Sequence, residues 1–482
     1  MPPADEQVAQ GGAPPPAPPG QVWDDWPPST SPLLTESSSR ENASWSLRGR
    51  RAVVLGTGQS GVQEIRVCPL VIAGGVRLEV NGRPPGLVSL KVSPDEIVRV
   101  LEAGAVQLTE RITTALDHPL IFWSIVADTP VPIRLTWVTD LPGNEPSGAP
   151  LGQMIGEEGS TEDSHIRVGR KDAEPRFQVL PVAGVAAITG PVTAPAGNDA
   201  LAFEVRSDRL LRAVLAAGAD TAELERALDA LRRRRLRAFR QDRILHARRI
   251  EDRLVSLVSP DPELDRAFGW AKVNLEAMLE ARPHLGRQVA GDAIGVACAT
   301  LAIGDRDIAR DVLRPLRLGE NGADRAPLLR LADYYARWTG EPVPGVTAAR
   351  GGIEASDTVF ELTGSRGDPA ALVLGVIEGL WGIRPDAPRG AVRVRPSLPA
   401  GWPEMALRRL RVGPTTLDLR VRRRPGRTVV MVRRTGGPPI RLTVGLRGRT
   451  ATGPVMIDQT EVGGQEVSFT PDDSHEVDFH DE

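Results

Sequence analysis

The sequence contains little cysteine and lysine and has no long hydrophobic run. Its 482 residues include two cysteines, Cys68 and Cys298, in elements far apart in sequence, which excludes a disulfide framework and a cysteine metal site. Only three of the 59 basic residues are lysine, so arginine supplies nearly all of the positive charge. No stretch approaches the ~18 consecutive apolar residues of a membrane span, so we expect no membrane association.

The N-terminal residues also lack the basic and then apolar pattern of a secretory signal, so we expect a cytoplasmic protein. Residues 1–44 are dominated by proline, glycine, serine and acidic side chains. Such a composition buries too little apolar surface to offset the entropy of ordering. We therefore predict a disordered leading segment.

The rest of the chain divides into β-rich ends and a helical middle, as expected for a length beyond the ~250–300 residues of one core. Short runs of valine, isoleucine and leucine separated by turn residues predict an antiparallel β-sandwich over residues 45–206. A period of 3.6 residues predicts a long linker helix region over 207–258 and further helices over 259–382. Alternating strands return over 383–482, which predicts a β-rich C-terminal domain. The expected fold class is multidomain β plus α.

A glycine-rich segment, Gly56-Thr-Gly58-Gln-Ser-Gly61, follows an apolar run and matches the dinucleotide-binding fingerprint. That fingerprint needs a helix directly after the glycines, whereas residues 62–70 alternate like a strand. We therefore interpret the segment as a hairpin turn and expect no cofactor.

The positions of the histidines and arginines argue against several further kinds of functional site. The six histidines show no pair at metal-ligand spacing, and no Gly-x-Ser-x-Gly elbow is present, so neither a zinc site nor a serine hydrolase is expected. Arginines recur from Arg232 to Arg253, interrupted by acidic residues and with few aromatics. This pattern favours a solvated face of the linker helix over a phosphate-binding stripe, so we expect no nucleic-acid partner.

Carboxylates remain as candidates for chemistry, because cleavage of a glycosidic bond needs only two of them. Those of the middle region lie at expected helix ends or in loops, where such pairs are usually mounted, although any single one is more often a helix cap. They are Asp292, Glu320, Asp324, Glu354, Asp357 and Glu361.

Four stretches resemble the bacterial glycogen-debranching and glucoamylase-type six-hairpin glycosidases. They are residues 268–275 (FGWAKVNL), 323–340 (ADRAPLLRLADYYARWTG), 376–386 (VIEGLWGIRPD) and 395–402 (RPSLPAGW). The resemblance implies an N-terminal β-sandwich, a linking helix, an (α/α) toroid and a β-rich tail. It also implies an oligosaccharide or glucan as partner.

The resemblance assigns roles to particular residues. The family's Gly-Arg-Asp-Ala motif appears as AGDA at residues 290–293, which keeps the acid as Asp292 without the arginine. Glu320 stands where a remnant of the general acid is expected, Glu354 is a candidate second carboxylate by location, and Asp324 corresponds to an acid of the substrate cleft. The expected catalytic set is Glu320, Asp292 and Glu354.

The helical middle is short for this family. A six-hairpin toroid has twelve helices, which need roughly 200 residues. Residues 261–381 are only 121 positions, in which we count five helices. We therefore expect a truncated toroid and a non-catalytic, degenerate protein that contacts glycan through Trp270, Tyr334, Tyr335 or Trp338, unless these aromatics belong to the core. Two alternatives stay open: an active hydrolase of α-linked glucans, and a scaffold that forms homo-oligomers through helix surfaces left uncovered.

Overall fold

The computed structural model describes the chain in two compact units, Met1–Ile244 and Leu245–Glu482. The described residues are 36–38, 44–67, 70–139, 166–168, 177–181, 201–207, 209–217, 226–227, 229–231, 233–280, 290–313, 325–343, 369–447, 453–462, 464–471 and 474–480. Most of the leading segment predicted to be disordered lies outside them.

The N-terminal unit contains two antiparallel sheets. In spatial order, one is β1-β6-β7-β8-β9-β14-β12-β11 and the other is β13-β10-β5-β4-β3-β2. The strands are β1 (Glu36–Ser38), β2 (Ser44–Arg48), β3 (Val53–Thr57), β4 (Gly61–Val67), β5 (Leu70–Val80), β6 (Gly86–Val92), β7 (Ile97–Ala103), β8 (Val106–Thr114), β9 (Leu120–Ala127), β10 (Ile133–Thr139), β11 (Ile166–Val168), β12 (Phe177–Pro181), β13 (Leu201–Ser207) and β14 (Leu210–Ala217).

Apolar side chains from both sheets form one buried cluster, which includes Leu47, Ile65, Leu108, Trp123 and Leu135. Alternate residues of a strand point to opposite faces, so strands with a period of two bury one face against the opposing sheet. Strands such as Ile97–Ala103 and Ile133–Thr139 lie within the region for which the sequence predicts a sandwich.

The glycine-rich segment is a hairpin turn, as predicted, because β3 and β4 pair antiparallel on either side of it. Gly61 has a φ of +70°, and a Cβ added there would lie 2.0 Å from the Arg99 guanidinium. Arg99 donates to the carbonyl oxygens of Gly58 and Gln59 at 3.1 and 3.2 Å. The glycine is therefore needed so that a buried arginine can hold the turn.

Within the predicted linker helix region, Leu210–Ala217 is a strand paired with β9. Residues 226–227, 229–231 and 233 are helical, and helix α1 spans Leu236–Arg253. Phe239 of α1 packs with Phe122 and Val214 in a separate apolar cluster. The expected solvated arginine face is wrong for Arg240 and Arg243. Arg240 is 0% exposed and lies 2.7 Å from an Asp95 oxygen, and Arg243 donates to the Pro94 carbonyl and to Thr114.

The C-terminal unit contains the helical middle. Five α-helices are described between residues 259 and 382, and the last continues into a π-helical turn, Gly375–Leu380. Helix α3 contacts α2, α4, α5 and α6. The helices are α2 (Pro262–Glu280), α3 (Ala290–Ala302), α4 (Asp307–Val312), α5 (Arg325–Thr339) and α6 (Pro369–Leu374).

A side-chain cap begins α2. The Asp261 carboxylate accepts the backbone N–H groups of Glu263 and Leu264 at 2.9 and 3.1 Å, and Pro262 occupies the first helical position. Gly304, with a φ of +97°, follows the end of α3. The Asp305 carboxylate then accepts the backbone N–H of Asp307 at 3.0 Å, at the start of α4.

Two sheets follow the helices. In spatial order, one is β15-β18-β19-β20-β25-β22-β23 and the other is β16-β17-β21-β24, in which β17 and β21 run parallel. The strands are β15 (Ser256–Val258), β16 (Arg384–Asp386), β17 (Ala391–Val394), β18 (Glu404–Val412), β19 (Thr415–Arg424), β20 (Arg427–Gly436), β21 (Arg441–Gly445), β22 (Val455–Ile457), β23 (Thr460–Val462), β24 (Glu466–Phe469) and β25 (Ser474–His480).

Helices and sheets of this unit share one apolar cluster, which includes Phe268, Leu331, Trp381, Leu407 and Val432. The helical middle and the β-rich tail therefore form one packed body. The expected order of β-rich N-terminal region, helices and β-rich C-terminal region is present.

Candidate functional site

Helix α5 presents two adjacent tyrosines to different surroundings. Leu331, Tyr335 and Trp338 follow a spacing of four and three, and all three are buried in the core. Tyr334 is rotated by about 100° around the helix axis from Tyr335 and is only partly buried. One helix therefore carries one tyrosine into the core and one to its margin.

The π-helical turn after α6 carries a glutamate toward that margin. The backbone N–H of Trp381 donates to the Val376 carbonyl, five residues back, at 3.0 Å, as a π-turn requires. Gly382 then has a φ of +59°, and a Cβ there would lie 2.4 Å from the Arg395 carbonyl oxygen, so only glycine fits. Single π-turns in α-helices are frequent at functional sites.

Tyr334, Glu378 and Arg384 form a connected group, the Glu378 cluster. The Tyr334 hydroxyl donates to Glu378 Oε1 at 2.6 Å, and Arg384 Nη1 donates to Glu378 Oε2 at 3.2 Å. The Glu378 and Arg384 side chains are 26% and 36% exposed. The group can therefore offer a carboxylate, a guanidinium and a phenol to a polar ligand.

Burial and the Glu378 carboxylate keep two neighbouring groups protonated. Desolvation raises the pKa of Tyr334 well above its usual value, and the charge of Glu378 raises it further. The same causes raise the pKa of the Cys298 thiol to about 12. At neutral pH the phenol is therefore a hydrogen-bond donor, and the thiol is not a nucleophile.

A second group, the Glu341 cluster, contains Arg306, Arg310, Tyr335 and Glu341. The Tyr335 hydroxyl donates to Glu341 Oε2 at 2.6 Å, and Arg310 and Arg306 donate to the same carboxylate at 3.1 and 3.3 Å. The hydrogen bond from Tyr335, followed by those from Arg310, lowers the pKa of Glu341. Because Arg306 also donates to the Gly413 carbonyl, the cluster ties α4 and α5 to the β18–β19 turn.

The two clusters lie on different sides of α5, because adjacent residues of a helix do not face each other. Glu378 and Glu341 are therefore bonded to tyrosines that point in different directions around α5.

Most of the expected catalytic residues lie where the structure gives no account of their side chains. Glu320, Asp324 and Glu354 are outside the described residues, and Asp292 is placed on α3 by its backbone alone. Their catalytic and cleft roles stay predictions.

The four aromatic residues expected to contact glycan all lie among the described residues. Trp338 is 2% exposed and packs in the core, with its ring centroid 6.1 Å from that of Tyr334. Trp270 on α2 and Tyr334 are partly buried, so each keeps some surface for a ligand. Within the described residues, the Trp270 indole N–H is buried and has no hydrogen-bond partner.

Two residues of the Glu378 cluster were not singled out from the sequence. Glu378 and Arg384 both lie in the VIEGLWGIRPD stretch that carries part of the family resemblance. That stretch was the available signal, but Glu378 lies on the π-turn and Arg384 on strand β16, so no single periodic pattern links the two residues.

No described helix has the length and apolar character to span a membrane. The described residues also include no group of three His, Cys, Asp or Glu side chains that could hold a metal ion.

No protein-family model matches the chain, and no curated protein matches it. Among solved structures, the chain is similar to one named "Putative kojibiose phosphorylase from human microbiome". The TM-score is 0.52 at 6% identity, and the alignment covers 94% of this chain and 100% of that chain. At this identity the likeness shows a shared fold.

Two further structures align over part of the chain. A bacterial glucoamylase complexed with acarbose gives a TM-score of 0.33 at 11% identity, covering 58% of this chain and 50% of that one. Streptomyces avermitilis alpha-L-rhamnosidase complexed with L-rhamnose gives 0.18 at 12% identity, covering 53% and 25%. At these TM-scores neither structure supports a shared fold.

Proposed function

We propose that this protein is a shortened relative of the six-hairpin glycosidases that binds an oligosaccharide and does not hydrolyse it. The observation that carries the proposed relationship is the fold shared over 94% of the chain with the structure named as a kojibiose phosphorylase, whereas the proposed shortening rests on the length of the helical middle. Kojibiose and α-linked glucans are therefore the ligands to test first.

The Glu378 cluster is the binding site in this proposal. Sugar hydroxyls both donate and accept hydrogen bonds, so a carboxylate beside a guanidinium can bind two neighbouring hydroxyls. Glu378 and Arg384 lie 3.2 Å apart and are partly exposed, which leaves part of each accessible. Tyr334 supplies apolar ring surface for the C–H face of a sugar, while Trp338 supports Tyr334 from the core.

The absence of hydrolysis is supported by how the clusters are built. Glu341 is bound by two arginines and a tyrosine, and Glu378 by one arginine and one tyrosine. A general acid needs a raised pKa, whereas the hydrogen bonds from Tyr335 and Arg310 lower the pKa of Glu341. Glu341 therefore suits anchoring better than proton transfer.

The active-hydrolase alternative uses Glu320 as acid with Asp292 or Glu354 as its partner. It predicts release of reducing sugar from maltodextrin that disappears in Glu320→Gln. The scaffold alternative predicts neither release nor glucan binding, together with a dimer in light scattering.

Native electrophoresis in gels containing glycogen tests the proposal on the full chain. We expect glycogen to retard the wild type, Glu378→Gln to migrate as if glycogen were absent, and no reducing sugar to appear. Glu341→Gln is the matched control, since it also neutralises a partly exposed carboxylate bonded to an α5 tyrosine, and it should still be retarded. Equal retardation of both variants would exclude the Glu378 cluster as the site.

A further inference from the structure

A cavity of about 600 Å³ lies on the face of the seven-stranded sheet that points away from the core, and we call it the Arg408 groove. Val258, Ala406, Arg420 and Met431 are cross-strand partners in one row across β15, β18, β19 and β20. The groove shares no residue with the Glu378 cluster. Its volume is in the range of sites for small ligands.

The carboxylates of the groove already have their partners. Arg420 donates to both oxygens of Glu404 at 2.8 and 2.6 Å, and Arg422 donates to Oε2 at 2.7 Å. Asp418 accepts the Arg409 N–H and Arg433 Nη2, both at 2.9 Å. Both carboxylates of the groove are thus already paired with arginines of the protein itself.

Donors are in excess there. The exposed Arg408 side chain makes no hydrogen bond or ion pair within the described part of the chain. Arg433 is exposed and uses one nitrogen for Asp418, which leaves other N–H groups directed to solvent. A ligand of this groove must therefore bring acceptors, preferably charged ones that form the stronger hydrogen bonds with guanidinium.

The surface between these donors is largely apolar. Val258, Pro260, Pro403, Ala406 and Met431 all line it. Such a surface suits the C–H face of a ring, since apolar contact and a few placed polar groups together fix a bound ligand.

We propose that the Arg408 groove binds an oligosaccharide that carries carboxylates, such as a chain of uronic acids. Its carboxylates would pair with Arg408 and Arg433, and its ring faces would lie on Ala406 and Met431. A peptide is the competing occupant, and it brings a backbone N–H at each residue where a saccharide brings hydroxyls. A sugar hydroxyl can rotate to accept.

Isothermal titration of the full chain at low salt, with trigalacturonate and with neutral maltotriose, tests this assignment. We expect trigalacturonate to bind, and maltotriose to bind at least tenfold more weakly. Arg408→Gln should weaken trigalacturonate binding by roughly tenfold or more, as expected when a hydrogen bond between two charged groups is lost. Arg408 is exposed, so this change should not alter folding.

Arg411→Gln is the matched control, because Arg411 is an exposed arginine on the same strand outside the groove, and its affinity for trigalacturonate should equal that of the wild type. Three results would each overturn the proposal: no binding of trigalacturonate, binding that Arg408→Gln leaves unchanged, and equal binding of maltotriose. Binding of acetyl-Trp-Asp-Asp-Trp-amide in the absence of trigalacturonate binding would overturn the saccharide assignment in favour of a peptide.

Discussion

The Arg99–Glu110 pair of the N-terminal unit and the Glu378 cluster of the C-terminal unit use the same chemistry in different surroundings. Each joins a carboxylate to a guanidinium and to an aromatic donor, Trp123 in the first and Tyr334 in the second. Arg99 and Glu110 are 3% and 1% exposed, whereas Glu378 and Arg384 are 26% and 36% exposed. Exposure separates a pair that serves the fold from a group that can meet a ligand.

Buried and exposed ion pairs also differ in what they contribute to the free energy of unfolding. A buried ion pair contributes little relative to apolar residues, but removing one partner leaves an uncompensated buried charge, at a cost of about 3–5 kcal/mol. A solvent-exposed pair contributes about 0–1 kcal/mol. Equal substitutions at the two places should therefore give very different losses of stability.

The largest expected effect is that of Glu110→Gln. It leaves the Arg99 charge buried, so we expect the N-terminal unit to lose about 3–5 kcal/mol of unfolding free energy. Hydrogen exchange of amides in β8 and β9, measured on the full chain, reports this unit alone. Glu79→Gln, at the exposed pair with Arg134 in the same unit, should cost less than about 1 kcal/mol. Similar losses in both variants would contradict the comparison.

Lys272 provides a buried charge without a carboxylate bonded to it. Its Nζ donates to the Val255 carbonyl at 2.9 Å, and burial followed by Arg409 lowers its pKa from 10.5 to about 8, while Glu251 opposes the shift. Between these pH values the unfolded chain binds the proton and the folded chain does not, so stability rises with pH.

We therefore expect the wild type to gain about 3 kcal/mol relative to Lys272→Met between pH 8 and pH 10.5. Below pH 8 the full cost of the buried charge is present, and above 10.5 it is absent. Urea unfolding of both proteins across this range measures the difference, in which the titration of all other groups cancels. A difference that does not change with pH would show that Lys272 is not a buried charge.

Gly61→Ala tests whether Arg99 holds the hairpin turn. Alanine at a positive φ costs about 1–2 kcal/mol, and its Cβ would displace the guanidinium from the carbonyl oxygens of Gly58 and Gln59. Gly82 has a similar φ of +74° with no atom within 4 Å of an added Cβ, so Gly82→Ala measures the backbone cost alone. We expect Gly61→Ala to be less stable by about a further 1–2 kcal/mol in urea unfolding. Equal losses would mean that Arg99 does not clamp the turn.

The smallest expected effect on stability is that of Tyr334→Phe. Its hydroxyl hydrogen bond to a partly exposed carboxylate should contribute about 1 kcal/mol or less, measured by urea unfolding. A loss above about 3 kcal/mol would place the Glu378 cluster with the buried pair as a structural element.

The sequence predicts local features of this fold well. The period of two over residues 97–101, the hairpin at Gly61 and the cap at Asp261 each follow from neighbouring residues, and each is present. Features that depend on distant partners were not predictable in this way. Leu210–Ala217 is a strand because β9 lies beside it, and Arg240 is buried because Asp95 accepts its hydrogen bond.

The candidate site shows the same division. Tyr334 was named as a ligand contact through the resemblance, and that role stays a prediction. Glu378 and Arg384 were not named, since their meeting with Tyr334 joins a π-turn, a strand and a helix that are separate in sequence. The expected catalytic residues Glu320 and Glu354 lie outside the described residues, so the hydrolase alternative depends on assays of activity.

Calorimetric titration of kojibiose and maltoheptaose into the wild type, Glu378→Gln and Glu110→Gln tests the central claim most directly. We predict that Glu378→Gln unfolds at nearly the wild-type urea concentration and no longer binds the sugar that the wild type binds. Glu110→Gln, studied below its unfolding transition, should lose stability and still bind that sugar. If Glu378→Gln binds both sugars as the wild type does, or if the wild type binds neither, the proposed oligosaccharide site is contradicted.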